Sequence, residues 1–334
     1  MTTKRVLVTR AHLPGNAVDR LAAGVEIVRP HNSHKPWPAE LAELAAGVSG
    51  ILCLGNDVVD ETLLDAAGPA LKVVALASMG FDSVDLSAAA DRGIVVTHTP
   101  GVLVETTADL AFSLILMARR GLLAAHRSLG AGAWTEFRMH DYLGLDVHGA
   151  TLGLIGYGQI GRAVASRARG FGMHVVYHDE YTSGDAAATP MDLPSLLACA
   201  DIVSLHVPLT EQTRHLIGAT ELRAMKPTAT LINTSRGGVV DEEALLRALG
   251  EGIIHSAGLD VYEHEPLGPN VARLVAEPRL VTLPHIGSAT EATRAAMVDL
   301  AVDNLVALLA GQPAKTPVPG TQAHPGLATT QSRS

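Results

Sequence analysis

Cysteine is scarce in this chain: 334 residues hold two, Cys53 and Cys199, each inside an apolar string. That excludes a disulfide framework and marks both as buried, reduced thiols. Positive charge is also in short supply. The formal net charge is −9 and no Lys/Arg run offsets it, so neither nucleic acid nor an anionic membrane is expected as the main partner. Long hydrophobic runs are missing as well. The most apolar helical stretch, Leu110–Ala118, is too short to cross a bilayer, and the apolar run within Met1–Arg10 is strand-length, unlike a signal peptide. A cytoplasmic protein is expected. Metal-ligand spacing is lacking too. His31 and His34 form a close pair, but they sit in a loop with no further ligands nearby. Ser235 is not in a nucleophile elbow, and Cys199 has no electropositive setting.

What is present suits an α/β protein with two cores: 47% hydrophobic and 18% charged residues over a length that allows two domains. Its most informative segment is Thr151–Arg162, a short apolar strand running straight into Gly156-x-Gly158-x-x-Gly161. A helical stretch and a second apolar strand follow, ending at Asp179, eighteen residues after Gly161. Strand, glycine triplet, helix, strand and acid in that order predict a bound dinucleotide. Gly156 permits the tight turn, Gly158 lets a pyrophosphate approach the backbone, and Gly161 lets helix and strand pack closely. The helix N-terminus offers free N–H groups to the phosphates.

Alternating β-rich and helical runs fill both halves of the chain. In the first hundred residues the strands are Val6–Thr9, Val25–Val28, Ile51–Leu54, Val73–Ala77 and Ile94–Thr97, with helices at Asn16–Ala23, Ala39–Ala46 and Glu61–Ala66 between them. A long helix is expected from Val104 to Arg120. Strands at Leu152–Ile155, His174–Tyr177, Ile202–Leu205, Thr230–Asn233, Ser256–Leu259 and Val281–Leu283 form a second alternating unit. The pattern predicts an α/β fold of two doubly wound, Rossmann-like parallel-sheet domains. A helix from Glu291 to Ala310 is placed to return to the first domain, making that domain discontinuous: 1–99 with 287–316, against 100–286. From 317 onward the composition predicts a disordered tail.

Three further segments put polar residues at the carboxyl ends of strands, where open parallel sheets bind ligands. They are Asn233-Thr-Ser-Arg236-Gly237-Gly238, Gly258-Leu-Asp260-Val-Tyr-Glu-His-Glu265-Pro266, and Pro284-His285-Ile-Gly287-Ser. Taken singly, each has an ordinary explanation: a surface arginine in a turn, solvated loop acids, a structural histidine. Together they offer a guanidinium suited to a carboxylate, a carboxylate, and a proton donor that titrates near neutrality. That set suits hydride transfer to a 2-oxo acid beside a nicotinamide.

From about Arg5 to Thr316 the chain resembles the NAD-dependent D-isomer-specific 2-hydroxyacid dehydrogenases, through the glycine turn and these three motifs. The resemblance implies that Arg236 binds the substrate carboxylate and polarises its carbonyl, that His285 is the general acid/base, and that Glu265 pairs with His285. Asp260 would lie near the nicotinamide amide, and Asp179 would take both ribose hydroxyls and favour NAD over NADP, as no arginine follows it closely. Thr107 would contact the nicotinamide side, and His206-Val207-Pro208 either flanks the adenine or simply ends a strand. Gln159, Ile160, Thr234, Ser235 and Gly287 would complete the NAD contacts. Backbone N–H groups of Ser78-Met79-Gly80 would grip the small anionic substrate's carboxylate across a cleft between the domains. A homodimer formed through 100–147 is expected on the same ground.

Departures bear on substrate. Met79 stands where many relatives carry valine and phosphite-oxidising branches carry lysine, so it counts against phosphite. Glu265 counts against the formate-oxidising branch, which has glutamine. Trp134–His140 replaces a segment of the glyoxylate and hydroxypyruvate reductases, and its Arg138 and His140 either add positive charge near the site or belong to a solvated loop. The expectation is reduction of a 2-oxo acid of the glyoxylate, hydroxypyruvate or 2-ketosugar-acid type. Two rivals share the scaffold: oxidation of a phosphonate or aldehyde hydrate, and an NAD(H)-sensing corepressor-like interaction protein.

Overall fold

The computed structural model describes residues 4–32, 35–182, 187–266 and 268–321. The chain divides into two compact units, Met1–Leu103 with Ala289–Ser334, and Val104–Ser288. The junctions thus fall a few residues beyond the 99 and 286 suggested by the sequence.

The first unit alternates β1 (Arg5–Val8), α1 (Ala17–Ala22), β2 (Glu26–Val28), α2 (Pro38–Ala45), β3 (Gly50–Cys53), α3 (Glu61–Ala67), β4 (Val73–Leu76), α4 (Leu86–Asp91) and β5 (Val95–Thr97). Its five strands are all parallel, in the order β2-β1-β3-β4-β5. β3, β4 and β5 are buried throughout, as expected for a sheet covered on both faces. Asp60 and Asp85 cap α3 and α4, accepting from Leu63 N and Ala88 N, which ends each preceding loop sharply.

The second unit runs α5 (Val104–Arg119), α6 (Leu122–Gly130), β6 (Thr151–Ile155), α7 (Gln159–Gly170), β7 (His174–His178), β8 (Thr189–Pro190), α8 (Leu193–Cys199), β9 (Ile202–Leu205), α9 (Ala219–Ala224), β10 (Thr230–Asn233), α10 (Glu242–Gly250), β11 (Ser256–Leu259), α11 (Val271–Ala276) and β12 (Leu280–Thr282). Seven parallel strands lie in the order β12-β11-β10-β9-β6-β7-β8. The order reverses between β6 and β9, the switch point at which such sheets bind ligands. Ile155 pairs with Leu205 there, so Gly156 and His206 leave the sheet side by side. Two buried clusters fill this unit, one including α5 and α7 residues and the other α8, α9 and α10 residues. The chain then closes with α12 (Glu291–Leu309), capped by Thr290, whose Leu305 packs beneath Gly50 of β3. The first unit is therefore built from two separate stretches of chain.

Four features differ from expectation. α4, α6 and the two-residue β8 are additional elements. The segment expected to be disordered from 317 begins ordered: Pro317 bridges Thr97, and Val318 donates its N–H to Val96 O with its side chain 1% exposed. One β-branched residue entering the core fastens this stretch to β5, which a polar composition average hides. The rest of that tail, 322–334, lies outside the described residues, as does His34 of the histidine pair.

Candidate active site

The glycine turn follows from the register of β6 with β9. Gly156 has φ +91, and a Cβ there would stand 2.6 Å from His206 O. At Gly161 a Cβ would stand 2.4 Å from Gly156 O, so only glycine lets α7 begin this close to the strand. Gly158 differs: nothing lies within 4 Å of its would-be Cβ, and it opens α7 with no side-chain cap. The result is an approachable backbone beside uncapped helical N–H groups, which suits a pyrophosphate.

Asp179, just beyond β7, reaches back to this turn. Its Oδ2 accepts from Tyr157 N at 2.6 Å, and its Oδ1 accepts from Tyr181 N and Thr182 N at 2.9 and 2.8 Å. Burial pushes its carboxyl up, but these N–H donors outweigh it and hold the group below the usual carboxylate range. Of the oxygens, Oδ2 keeps a lone pair open for an incoming hydroxyl. His206, half-buried at the end of β9, has its pKa pushed down to about 4 by burial and stands 3.0 Å from Ser204 Oγ through Nε2. It is a neutral imidazole, with Val207 and Pro208 continuing the wall beside Gly156. Thr234, after β10, is 8% exposed and its hydroxyl has no protein partner. An open cradle, an ionised acid and an orphaned buried hydroxyl fit a dinucleotide.

Arg236, Glu265 and His285 stand on the loops after β10, β11 and β12. Buried Asn233 organises the first loop: its Oδ1 accepts from Ser235 N and Oγ, and its Nδ2 donates to Arg236 O at 2.9 Å. Arg236 Nη1 donates to Ser235 O. At Gly237 a Cβ would fall 1.8 Å from the carbonyl carbon of Tyr262, so the arginine loop and the glutamate loop interlock through their backbones. Glu265 Oε1 accepts from Tyr262 N at 3.0 Å, and Oε2 stands 2.6 Å from His285 Nδ1. A carboxylate only accepts, so Nδ1 carries the proton and Nε2 is the nitrogen left for chemistry; the His285 side chain is 49% exposed. Burial raises the Glu265 carboxyl, but the His285 hydrogen bond and charge, Tyr262 N–H and Arg236 together hold it below its ordinary value. Glu265 is thus an ionised counter-charge for an imidazolium.

The position of His285 is held under strain. It adopts φ +52, a left-handed backbone that costs a non-glycine residue about 1–3 kcal/mol. Asp260, 1% exposed, offsets this by accepting from Ile286 N and Gly287 N, both at 2.8 Å. Burial pushes its carboxyl up to about 6. Thr107 Oγ1 donates to Gly287 O, and Tyr262 OH donates to Leu283 O, its pKa raised to about 12 by burial. Asp260, expected near the nicotinamide amide, therefore also anchors the histidine loop.

In the first unit, Ser78-Met79-Gly80 follow β4. Each carbonyl is engaged: Thr99 N donates to Ser78 O at 2.8 Å, His98 Nδ1 to Met79 O at 2.8 Å, and Ser78 Oγ to Gly80 O at 2.9 Å. The N–H groups of the three residues have no partner among the described residues. Donors out and acceptors satisfied suit an anion. Sequence reasoning assigned no role to Asn233, Tyr262 or His98, which act chiefly on main-chain groups: Asn233 within its own loop, Tyr262 and His98 on neighbouring ones. Arg138 is paired with Glu136 in an exposed stretch that includes His140, as a solvated loop would be. Among the described residues no three His, Cys, Asp or Glu side chains group to hold a metal, and no helix is long and apolar enough to cross a membrane.

Residues 112–287 match the family described as "D-isomer specific 2-hydroxyacid dehydrogenase, NAD binding domain". A glyoxylate reductase of Thermococcus litoralis is 42% identical over 316 residues, covering 92% of this chain and 94% of that protein. Glyoxylate/hydroxypyruvate reductase B of Erwinia tasmaniensis is 46% identical over 268 residues, or 79% and 83% of the two chains. Among solved structures, the NADPH-dependent glyoxylate/hydroxypyruvate reductase of Sinorhizobium meliloti, in complex with NADP and malonate, superposes with a TM-score of 0.84 at 38% identity, covering 96% of this chain and 98% of that one.

Proposed function

This chain belongs to the D-isomer-specific 2-hydroxyacid dehydrogenases, NAD(P)-dependent enzymes acting on CH–OH donors, and from that premise we propose that it reduces a small 2-oxo acid of the glyoxylate or hydroxypyruvate type with NADH. The observation that carries this reading is the 2.6 Å pair of His285 with ionised Glu265, on loops interlocked with that of Arg236. NADH, when bound, supplies the hydride. The free N–H groups of the Ser78–Gly80 loop take the substrate carboxylate, and Arg236 binds it and polarises the carbonyl. His285 Nε2 gives its proton to the developing alkoxide, while Glu265 stabilises the imidazolium that precedes this transfer. The product has the D configuration.

The cofactor preference rests on Asp179. The Sinorhizobium relative is NADPH-dependent, whereas here an ionised acid stands at the turn and the sequence from Asp179 to Ala188 holds no Lys or Arg. A 2′-phosphate would meet like charge without a partner. A homodimer is supported by α6, none of whose residues is buried, and by the exposed Trp134, Phe137, Met139 and Leu143 that follow it. Leu123 of α6 packs on the core of its own unit, and a second copy would cover the apolar side chains left exposed beyond it; a monomer in sedimentation equilibrium would refute that.

Absorbance at the NADH band, followed with glyoxylate, hydroxypyruvate, pyruvate, a 2-ketosugar acid and a small phosphonate, tests the main reading. Turnover with a 2-oxo acid, and kcat/KM at least about tenfold higher with NADH than NADPH, is expected. No turnover with any 2-oxo acid refutes the substrate class, and equal or better use of NADPH refutes the cofactor preference.

A further inference from the structure

The anion-binding loop owes its direction to its carbonyls. The peptides from Ser78 to Gly80 are trans, since the only cis bond among the described residues is Glu265–Pro266, and in a planar trans peptide the N–H points opposite to the C=O. Fixing Ser78 O on Thr99 N–H therefore aims Met79 N–H the other way. Fixing Met79 O on His98 Nδ1–H likewise aims Gly80 N–H. The first anchor is backbone and indifferent to sequence. The second is a side chain, so it depends on the residue at 98.

We propose that His98 is a positioning residue for the substrate's carboxylate, holding the Gly80 N–H toward it. The inference rests on the reading of Ser78–Gly80 as the carboxylate site. Met79 O can only accept, so Nδ1 bears the hydrogen. Phe81 meets the ring edge to face at 5.4 Å. The backbone of His98 is held by Thr316: His98 N donates to Thr316 O, and Thr316 Oγ1 donates to His98 O. The donor is thus placed by contacts at both its ring and its main chain.

The test compares the full-length wild type with His98→Asn, His98→Leu and His98→Ala at saturating NADH and one fixed pH, with glyoxylate and hydroxypyruvate. Asparagine can place an N–H donor near the position of Nδ1, and leucine cannot. His98→Ala and His98→Leu should each raise the substrate KM about three- to tenfold, as expected for a lost hydrogen-bond anchor, with kcat within about twofold and NADH binding unaltered. His98→Asn should restore the KM to within about twofold of wild type. A purely structural role for His98 would leave asparagine no better than leucine. That outcome, or an alanine variant with unchanged KM, overturns the assignment, and if the alanine variant does not fold the asparagine–leucine comparison still decides. A wild type that turns over no 2-oxo acid would instead overturn the substrate reading itself.

Discussion

Replacing Asp260 by asparagine should separate what this buried carboxylate does for the histidine loop from what it costs the fold. Its two oxygens accept the N–H groups of Ile286 and Gly287. Asparagine has one acceptor and would set its NH2 against a second N–H donor. That arrangement loses one hydrogen bond to a charged group, about 1.5–3 kcal/mol. Against this stands the burial that raises the carboxyl to about 6. The folded state then binds the Asp260 proton more tightly than the unfolded state, whose value is about 3.9. The sign follows: this acid's contribution to stability is greatest at low pH and declines as pH rises, until it has titrated in the folded state. Integrating the two titrations gives a decline of about 1.4 kcal/mol between pH 5 and pH 8. Asparagine has no such decline. Thermal unfolding of both proteins at those two pH values should therefore show the variant gaining on the wild type by about 1.4 kcal/mol toward pH 8, while its kcat for 2-oxo acid reduction falls about 100-fold as the loop carrying His285 is released. A stability difference independent of pH would refute burial as the cause of the shift. A kcat unaffected by the change would refute Asp260 as the anchor of His285.

Three other substitutions bear on the site and the fold. His285→Ala should lower kcat by about 10²–10⁴ while leaving the NADH dissociation constant, read by fluorescence, within about twofold; near-normal turnover would refute the acid/base role. Gly237→Ala forces a Cβ to within 1.8 Å of the Tyr262 backbone, and should destabilise the protein by about 3 kcal/mol and abolish turnover together, since it separates the loops of Arg236 and Glu265. Arg119→Met removes a buried guanidinium that donates to Asp146 O, Asp201 O and Thr228 O before the starts of β9 and β10. It should lower thermal stability by about 2–4 kcal/mol with kcat/KM of the surviving fold nearly unchanged.

The site was legible where chemistry interrupts an apolar pattern. β6, β9, β10 and β11 are uniformly or almost uniformly buried strands, so a polar residue directly after one of them marks the sheet edge. Asp260 lies directly after β11, and Arg236, Glu265 and His285 stand on the loops that leave β10, β11 and β12; Gly156 stands at the end of β6 with φ +91. The elements that escaped have signals of another kind. None of the residues of α6 is buried and partly buried Leu123 packs on the core, so its periodic signal is weak. Val318 is one apolar residue in a polar tail, too little for any compositional average. Asn233, Tyr262 and His98 hold loops by bonding to backbone carbonyls and N–H groups, which carry no side-chain signature at all.

That division explains why the substrate is harder to reach than the reaction. The reacting groups must be particular side chains, because proton transfer needs an imidazole and a carbonyl needs a cation near its oxygen. The carboxylate, by contrast, is offered main-chain N–H groups, which every residue except proline possesses. Their usefulness depends on where three carbonyls point, and those are fixed by Thr99 N, His98 Nδ1 and Ser78 Oγ. Under the proposed carboxylate site Met79 can vary without altering the grip, since its contribution is a peptide. His98 is different: exchanging it changes the donor that orients this peptide. On that proposal substrate affinity depends on a residue that need not touch the substrate, and variation at His98 should move KM more than variation at Met79.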